Sequence, residues 1–406
     1  MTVDSLGFVE SMCTLPEQLT HAHEVAHEVH VDLPPRGSVD NVVVLGMGGS
    51  GIVGDIVAAV ASSLPVPVIT LKRYRLPAFV GPRTFAFAVS YTGNTEETLT
   101  MARDALEVGA RLVAVSSGGA LAELAASADA PHFDCPDGYL PRAALGALLA
   151  PVMVVLSRAG LYPEGHAELV KAQEQLARRR DECRPQVEGP KNPARELARR
   201  IGRTIPLVYG GGAIGAAAAQ RWKQSMNENA KAPAFWNFYP ELDHNEVCGW
   251  GQHGDVTRQV LSLVELRHGF EHPQLGRRFD ATRALIEETL VQVLSVRAAG
   301  QSRLAQCLDL VHLGDWASTY LALDNDVDPG PIDAITQLKA ELATHDGVNA
   351  TESTRLSRRD AATERSEGAR PARSGREAGI LPSSDERDIG SGHELWLSSG
   401  DPGRLP

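Results

Sequence analysis

Residues 42–55 read VVVLGMGGSGIVGD: four apolar residues with strand character, then glycines at 46, 48, 49 and 51, then an apolar helical stretch expected over Ile52 to Ala61. A buried strand that turns through glycines straight into a helix fits few architectures. The chain must cross over before the next strand, so the sheet is parallel and helices cover both of its faces. The same unit recurs at 204–224, TIPLVYGGGAIGAAAAQRWKQ. Its glycine loop suits either approach to a ligand or close packing of strand and helix.

Around these two units, strand and helix patterns alternate. A helix is expected over Leu15 to Val31. PVPVITL, TFAFAVS and RLVAVSS read as strands, and EETLTMARDALEVGA as an amphipathic helix between the last two. VLSLVELRH, FDATRALIEETLVQVLSV and LVHLGDWASTYLAL continue a second α/β half. The expected organisation is an N-terminal α/β domain at 1–157, a charged helical connector at 158–200 and a second α/β domain at 201–345. From 346 to 406 the chain is rich in Ser, Gly, Arg and Glu with few apolar residues, a composition that predicts a disordered tail.

Composition excludes several classes. A formal net charge of −12 over 406 residues disfavours nucleic acid as a partner, which requires a basic face. No apolar run approaches 18 residues, so no membrane span is expected. The five cysteines are scattered without a C-x-x-C, and MTVDSLGFVESM lacks a basic segment followed by a hydrophobic one; both fit a reduced, cytoplasmic protein.

Gly46, Gly48 and Gly51 match the dinucleotide spacing G-x-G-x-x-G. That reading needs an acidic residue at the end of the second strand to hold the ribose hydroxyls, and PVPVITL instead runs into Lys72-Arg73. A basic pair suits a 2′-phosphate, so an NADP-dependent oxidoreductase stays as one rival. SYTGNTEETL weighs more. Hydroxyls or glycine fill four of the six positions from Ser90 to Thr95, just where a helix begins. One hydroxyl suffices to cap a helix, whereas Ser90, Thr92 and Thr95 with the first-turn amides make a cradle for a phosphate.

HAHEVAHEVH contains His23-Glu24-Val25-Ala26-His27, a formal H-E-x-x-H with His30 following. No later third ligand is evident in a protease-like context, so a metalloprotease is rejected and no metal is assigned, while adventitious Zn²⁺ or Ni²⁺ binding by this helix stays open.

LGMGGSGIVGD, SYTGNTEETL, GYLPRAALG, RWKQSMNENAKAP and ELDHNEVCGW, in this order, resemble the bifunctional phosphoglucose/phosphomannose isomerases of the sugar isomerase (SIS) superfamily, over about residues 10–345. The resemblance implies two tandem SIS domains in a homodimer. It implies interconversion of glucose, mannose and fructose 6-phosphates without metal or nucleotide cofactor. Aldose–ketose isomerisation needs a base that reaches C1 and C2, a cation for the developing oxyanion and an acid to open the ring. The family's base falls at Glu228 and its enediolate-binding arginine at Arg142. Its ring-opening histidine, donated across the dimer interface, falls at His244, and its assisting lysine at Lys339. Asp243 and Glu246 are expected to keep the His244 imidazolium available. Ser90, Thr92 and Thr95 then hold the phosphate, with Gly49 and Ser50 along the sugar. Gly330 stands between Pro329 and Pro331 where the family often has threonine, a local departure beside Lys339. The rival from another class is a SIS regulator that binds sugar phosphate without turnover.

Overall fold

The computed structural model describes residues 3–35, 37–61 and 64–342. The tail expected to be disordered lies outside them. The chain divides into two compact units, Met1–Asp333 and Ala334–Pro406. Of the second, residues 334–342 are described, as the continuation of a helical segment at 333–342.

The first unit opens with helices α1 (Phe8–Cys13) and α2 (Leu15–Val25). Then come β1 (Asn41–Leu45), α3 (Gly48–Val60), β2 (Val68–Leu71), β3 (Thr84–Val89), α4 (Glu96–Glu107), β4 (Arg111–Ser116), α5 (Gly119–Ser127) and β5 (His132–Asp134). Helices α6 (Leu145–Arg158), α7 (Gly165–Cys183) and α8 (Pro193–Ile201) lead to the second sheet. That half contains β6 (Ile205–Gly211), α9 (Gly212–Glu228), β7 (Phe235–Tyr239), α10 (Gly254–Val260), β8 (Leu261–Arg267), α11 (Pro273–Ile286), β9 (Gln292–Arg297) and α12 (Arg303–Asp324). Both sheets are parallel throughout, in the orders β2-β1-β3-β4-β5 and β7-β6-β8-β9. The α/β class with two parallel sheets flanked by helices is therefore as expected.

Strand alternation sorts the core. Val43, Leu45, Ala86 and Ala88 face α4 and α5 in one apolar cluster. Val42, Val44, Phe85 and Phe87 point the other way, into a larger cluster with α2, α3 and α6 that continues through α9 and α12 to Val208 and Val264 of the second sheet. Leu207, Tyr209 and Leu263 cover the far face with Phe279 and Ile286 of α11. A period-2 pattern with both faces apolar is what a doubly covered parallel sheet requires.

Two expectations shift. The helix expected to reach Val31 stops at Val25, and the one expected from Ile52 begins at Gly48, because the glycine loop itself supplies the first turn. The charged segment 158–200 forms α7 and α8. In it Arg179 reaches buried Asp309 of α12 through two bonds of 2.8 Å, which explains an arginine on an inward face. Among the described residues, no helix is long and apolar enough to cross a membrane.

Candidate active site

The site begins at the carboxyl ends of β1 and β3, which lie side by side. In open parallel sheets ligands bind beyond these ends, where helix amides point outward. Gly46 and Gly51 are given over to packing: a Cβ on Gly51 would stand 2.6 Å from the Gly46 carbonyl oxygen. Gly48 takes φ +48°, which suits a residue without a Cβ. Gly49 is different, for a Cβ there would meet Arg142 Cα at 3.4 Å and Arg221 Nη1 at 3.6 Å. Lys72, the basic residue that would suit a 2′-phosphate, pairs with Asp55 of α3 instead.

The turn after β3 joins this loop. The Tyr91 amide donates to Ser50 Oγ at 3.3 Å. Ser90 and Thr95 hydroxyls meet at 2.9 Å, and Thr92 Oγ1 accepts from the Asn94 amide at 3.3 Å. Thr95 occupies the N-cap position of α4, yet its side chain makes no capping bond. Its hydroxyl is turned to Ser90, so the first-turn amides of α4 are not closed by it.

Arg142 arrives from the turn before α6 and is buried. Its Nε donates to Asn229 Oδ1 at 2.9 Å, and Nη2 donates to the Pro329 and Gly330 carbonyls, the latter at 2.6 Å. The guanidinium also stacks over Phe8, 4.4 Å from the ring centre. None of these bonds uses Nη1. Burial draws the Arg142 pKa below its ordinary value; the carboxylate of Glu228 opposes that shift, and Arg221 adds to it. Glu228 ends α9, half-buried, immediately before Asn229. After it the chain reverses through Lys231 at φ +53°, whose Nζ donates to the Glu228 carbonyl at 2.7 Å and the Pro329 carbonyl at 3.3 Å.

Two residues to which sequence reasoning gave no role in the site brace this group. Arg221 of α9 pairs with Asp315 of α12 at 3.0 Å and donates to the Arg142 carbonyl at 2.6 Å. Asn229 links Arg142 to Ser318, donating to Ser318 Oγ at 2.9 Å. An arginine and an aspartate on the apolar faces of two helices were the available signal, since buried charges occur paired.

His244 closes the short turn Glu241–His244 and is exposed. The expectation that Asp243 and Glu246 attend its imidazole is corrected. Asp243 accepts from Arg278 and Thr282 of α11, both at 2.8 Å, while Glu246 is held by Tyr209 and Asn237. Both carboxylates anchor the turn, because each is claimed by a donor on the packed side of the sheet. The structure thus places the Gly49–Ser50 loop beside both the Ser90–Thr95 turn and Arg142, and Arg142 beside Asn229, the residue after Glu228. None of the bonds just described includes His244. Lys339 belongs to the second unit, exposed on the segment 333–342.

Hydroxyls gathered at a helix start, a buried arginine bonded to the end of α9 and two parallel sheets flanked by helices fit one class: a tandem SIS protein. Comparison supports the class and narrows it. The family described as bacterial phospho-glucose isomerase C-terminal SIS domain matches residues 190–342. The bifunctional phosphoglucose/phosphomannose isomerase of Caldicellulosiruptor bescii is 35% identical over 338 residues, covering 82% of this chain and 98% of that protein. The protein of the same name from Aquifex aeolicus is 34% identical over 320 residues, covering 78% and 94%. In fold, the chain is similar to a hypothetical protein from Thermus thermophilus, with a TM-score of 0.64 at 18% identity over 84% of this chain and 91% of that one. The chain belongs to the bifunctional phosphoglucose/phosphomannose isomerase family.

Proposed function

We propose that the chain interconverts glucose 6-phosphate and mannose 6-phosphate with fructose 6-phosphate through an enediol. The observation that carries this reading is the bond from Arg142 to Asn229, 2.9 Å long, which ties the end of α9 to the arginine lying against Gly49. It sets Arg142, which packs on the glycine loop, beside the residue that follows Glu228. Ser90, Thr92 and Thr95 hold the phosphate, and Gly49 and Ser50 line the sugar. His244, with Lys339, protonates the ring oxygen and frees the carbonyl. Glu228 takes the proton from C2 of the aldose and returns it to C1, and the Arg142 Nη1 edge steadies the charge on the oxygens. Removing that proton leaves electrons that only a nearby cation holds cheaply, which is why a buried arginine suits the task.

The exposure of His244 on an anchored turn supports its use by a second copy, in a homodimer that shares its sites. We read the chain as an N-terminal SIS domain at 1–157, a connector at 158–200, a C-terminal SIS domain at 201–345 and a tail. The scattered cysteines, all free, favour the cytoplasm.

Turnover of fructose 6-phosphate in D₂O tests the reading. The expected product carries deuterium at C2, because the proton passes through a carboxylate that exchanges with solvent. Saturable binding without product would favour the non-catalytic regulator, and deuterium-free product would favour hydride transfer.

A further inference from the structure

Away from the candidate active site, three imidazoles converge from α2, the turn that follows it and α7. His23 lies on the last turn of α2 and is buried, His27 follows one turn later, and His166 stands in the first turn of α7, 143 positions beyond His23. One ring nitrogen from each lies within 4.8 Å of the other two. His23 Nε2 and His166 Nδ1 are 2.8 Å apart, and the ring centroids are separated by 4.7, 5.6 and 5.9 Å. The other nitrogen of His23 faces the Gln173 amide at 2.9 Å.

The sequence pair His23/His27 lacked a third ligand because the third sits in the connector, and only the packing of α2 on α7 supplies it. Three points no more than 4.8 Å apart have a common centre within about 2.8 Å of each, against about 2.0–2.1 Å for a zinc–imidazole bond. Closing that gap takes small rotations, and His27 and His166, both exposed, have room to make them. We propose that His23, His27 and His166 form a site for one late transition-metal dication, with Zn²⁺ as the expected occupant and water in the fourth position. Three imidazoles favour such ions over Mg²⁺ or Ca²⁺, which require oxygen ligands. No ligand of this site belongs to the proposed catalytic group, so the ion acts as a clamp that fastens α2 to α7.

The surroundings fit a ligand that carries a lone pair. Burial, with the charges of His166 and His27 adding to it, pushes the His23 pKa down to about 4, so the ring is neutral at pH 7. With the Gln173 amide nitrogen on Nδ1, the His23 proton sits on Nε2 and is shared with His166. When the metal takes Nε2 that proton moves to Nδ1, and Gln173 turns its amide to accept it through oxygen.

Titration of the full-length chain, free of any polyhistidine tag, with Co²⁺ alone decides the matter. The expected result is one equivalent with tetrahedral ligand-field bands, displaced by Zn²⁺. His166→Ala and His23→Gln should each weaken binding at least as much as loss of an outer-shell partner, roughly 10–100-fold. Gln173→Leu, which removes no ligand, should weaken it less. Zn²⁺ should raise the melting temperature of the parent and not of His166→Ala, whose exposed side chain is dispensable for folding. Isomerase turnover should be the same with and without chelator. Equal Co²⁺ affinity and spectra for the parent and His166→Ala would overturn the site, leaving only the pair His23 and His27.

Discussion

The two halves share one frame and use it differently. In each, the first strand of the repeat runs into glycines whose spacing repeats: Gly46, Gly48 and Gly51 after β1, and Gly210, Gly212 and Gly215 from the end of β6 onward. Gly48 and Gly212 adopt φ of +48° and +57°, and a Cβ on Gly51 or on Gly210 would run into the opposite glycine of its loop. The difference lies at the next strand. After β3 the chain offers Ser90, Thr92 and Thr95. After β8 the equivalent turn folds its own carboxylate inward: Glu271 accepts from the His268 amide at 2.9 Å and from Arg267 Nη2 at 2.8 Å. A Cβ on Gly211 would stand 2.7 Å from Glu271 Oε1, so the space beside the loop is full. One half leaves hydroxyls at the start of α4, and the other fills the corresponding place with its own Glu271. On the function proposed above the duplicated frame divides labour, with one copy holding the substrate while the other places Glu228 and His244 at the ends of α9 and the β7 turn.

Changes confined to one half should therefore leave separate signatures. The largest effect is expected at Glu228. Glu228→Gln keeps shape and hydrogen bonding but removes the proton acceptor, so turnover should fall by about 10²–10⁴-fold while binding of fructose 6-phosphate persists. Deuterium exchange in D₂O should vanish with it, and exchange at the parent rate would clear Glu228 of the role. His244→Ala should lose most activity on cyclic sugar and retain exchange on an open-chain analogue, since ring opening ends its task. Equal loss on that analogue would show that the histidine serves the proton transfer too. In the first half, Ser90→Ala with Thr92→Ala should raise KM on the order of 10–100-fold with a smaller change in kcat, because phosphate contacts exist in ground and transition states alike. An unchanged KM would reduce those hydroxyls to a helix start.

The frame was legible because it is written in local pattern: VVVL before glycines, period-2 strands and amphipathic α4 each specify themselves. Ser90 to Thr95 stood out as a candidate because hydroxyls concentrated at one helix start exceed what capping needs. What escaped is long-range. Nothing near Arg221 in sequence announces Asp315, and nothing near His27 announces His166; both partners are supplied by the helix packing that buries the core. Asp243 and Glu246 mislead for the same reason: adjacency to His244 along the chain is not adjacency in space, and donors on α11, β6 and β7 have the stronger claim. Strands β5 and β7 were missed because three-residue HFD and aromatic FWNFY carry little alternation of their own.

The smallest effect on activity, and the sharpest test of the comparison, belongs to Glu271. Its side chain and that of Arg267 are only 7% and 12% exposed, so Glu271→Ala leaves a buried guanidinium unpaired over Phe279 and should cost about 3–5 kcal/mol of stability. Glu271→Gln keeps an oxygen for the His268 amide and for Arg267 while losing the charge, and should cost about 1–2 kcal/mol, near the worth of a charged over a neutral hydrogen bond. Denaturant melts separate the two values. Neither variant touches the hydroxyl turn or Glu228, so KM and kcat for fructose 6-phosphate should match the parent wherever the folded fraction is full. Inorganic phosphate should recover part of the stability lost in Glu271→Ala, since the emptied loop again offers an amide and an arginine to an anion. Should Glu271→Gln instead raise KM as far as the Ser90 and Thr92 changes do, the second loop would be part of the substrate site and the division between the halves would fail.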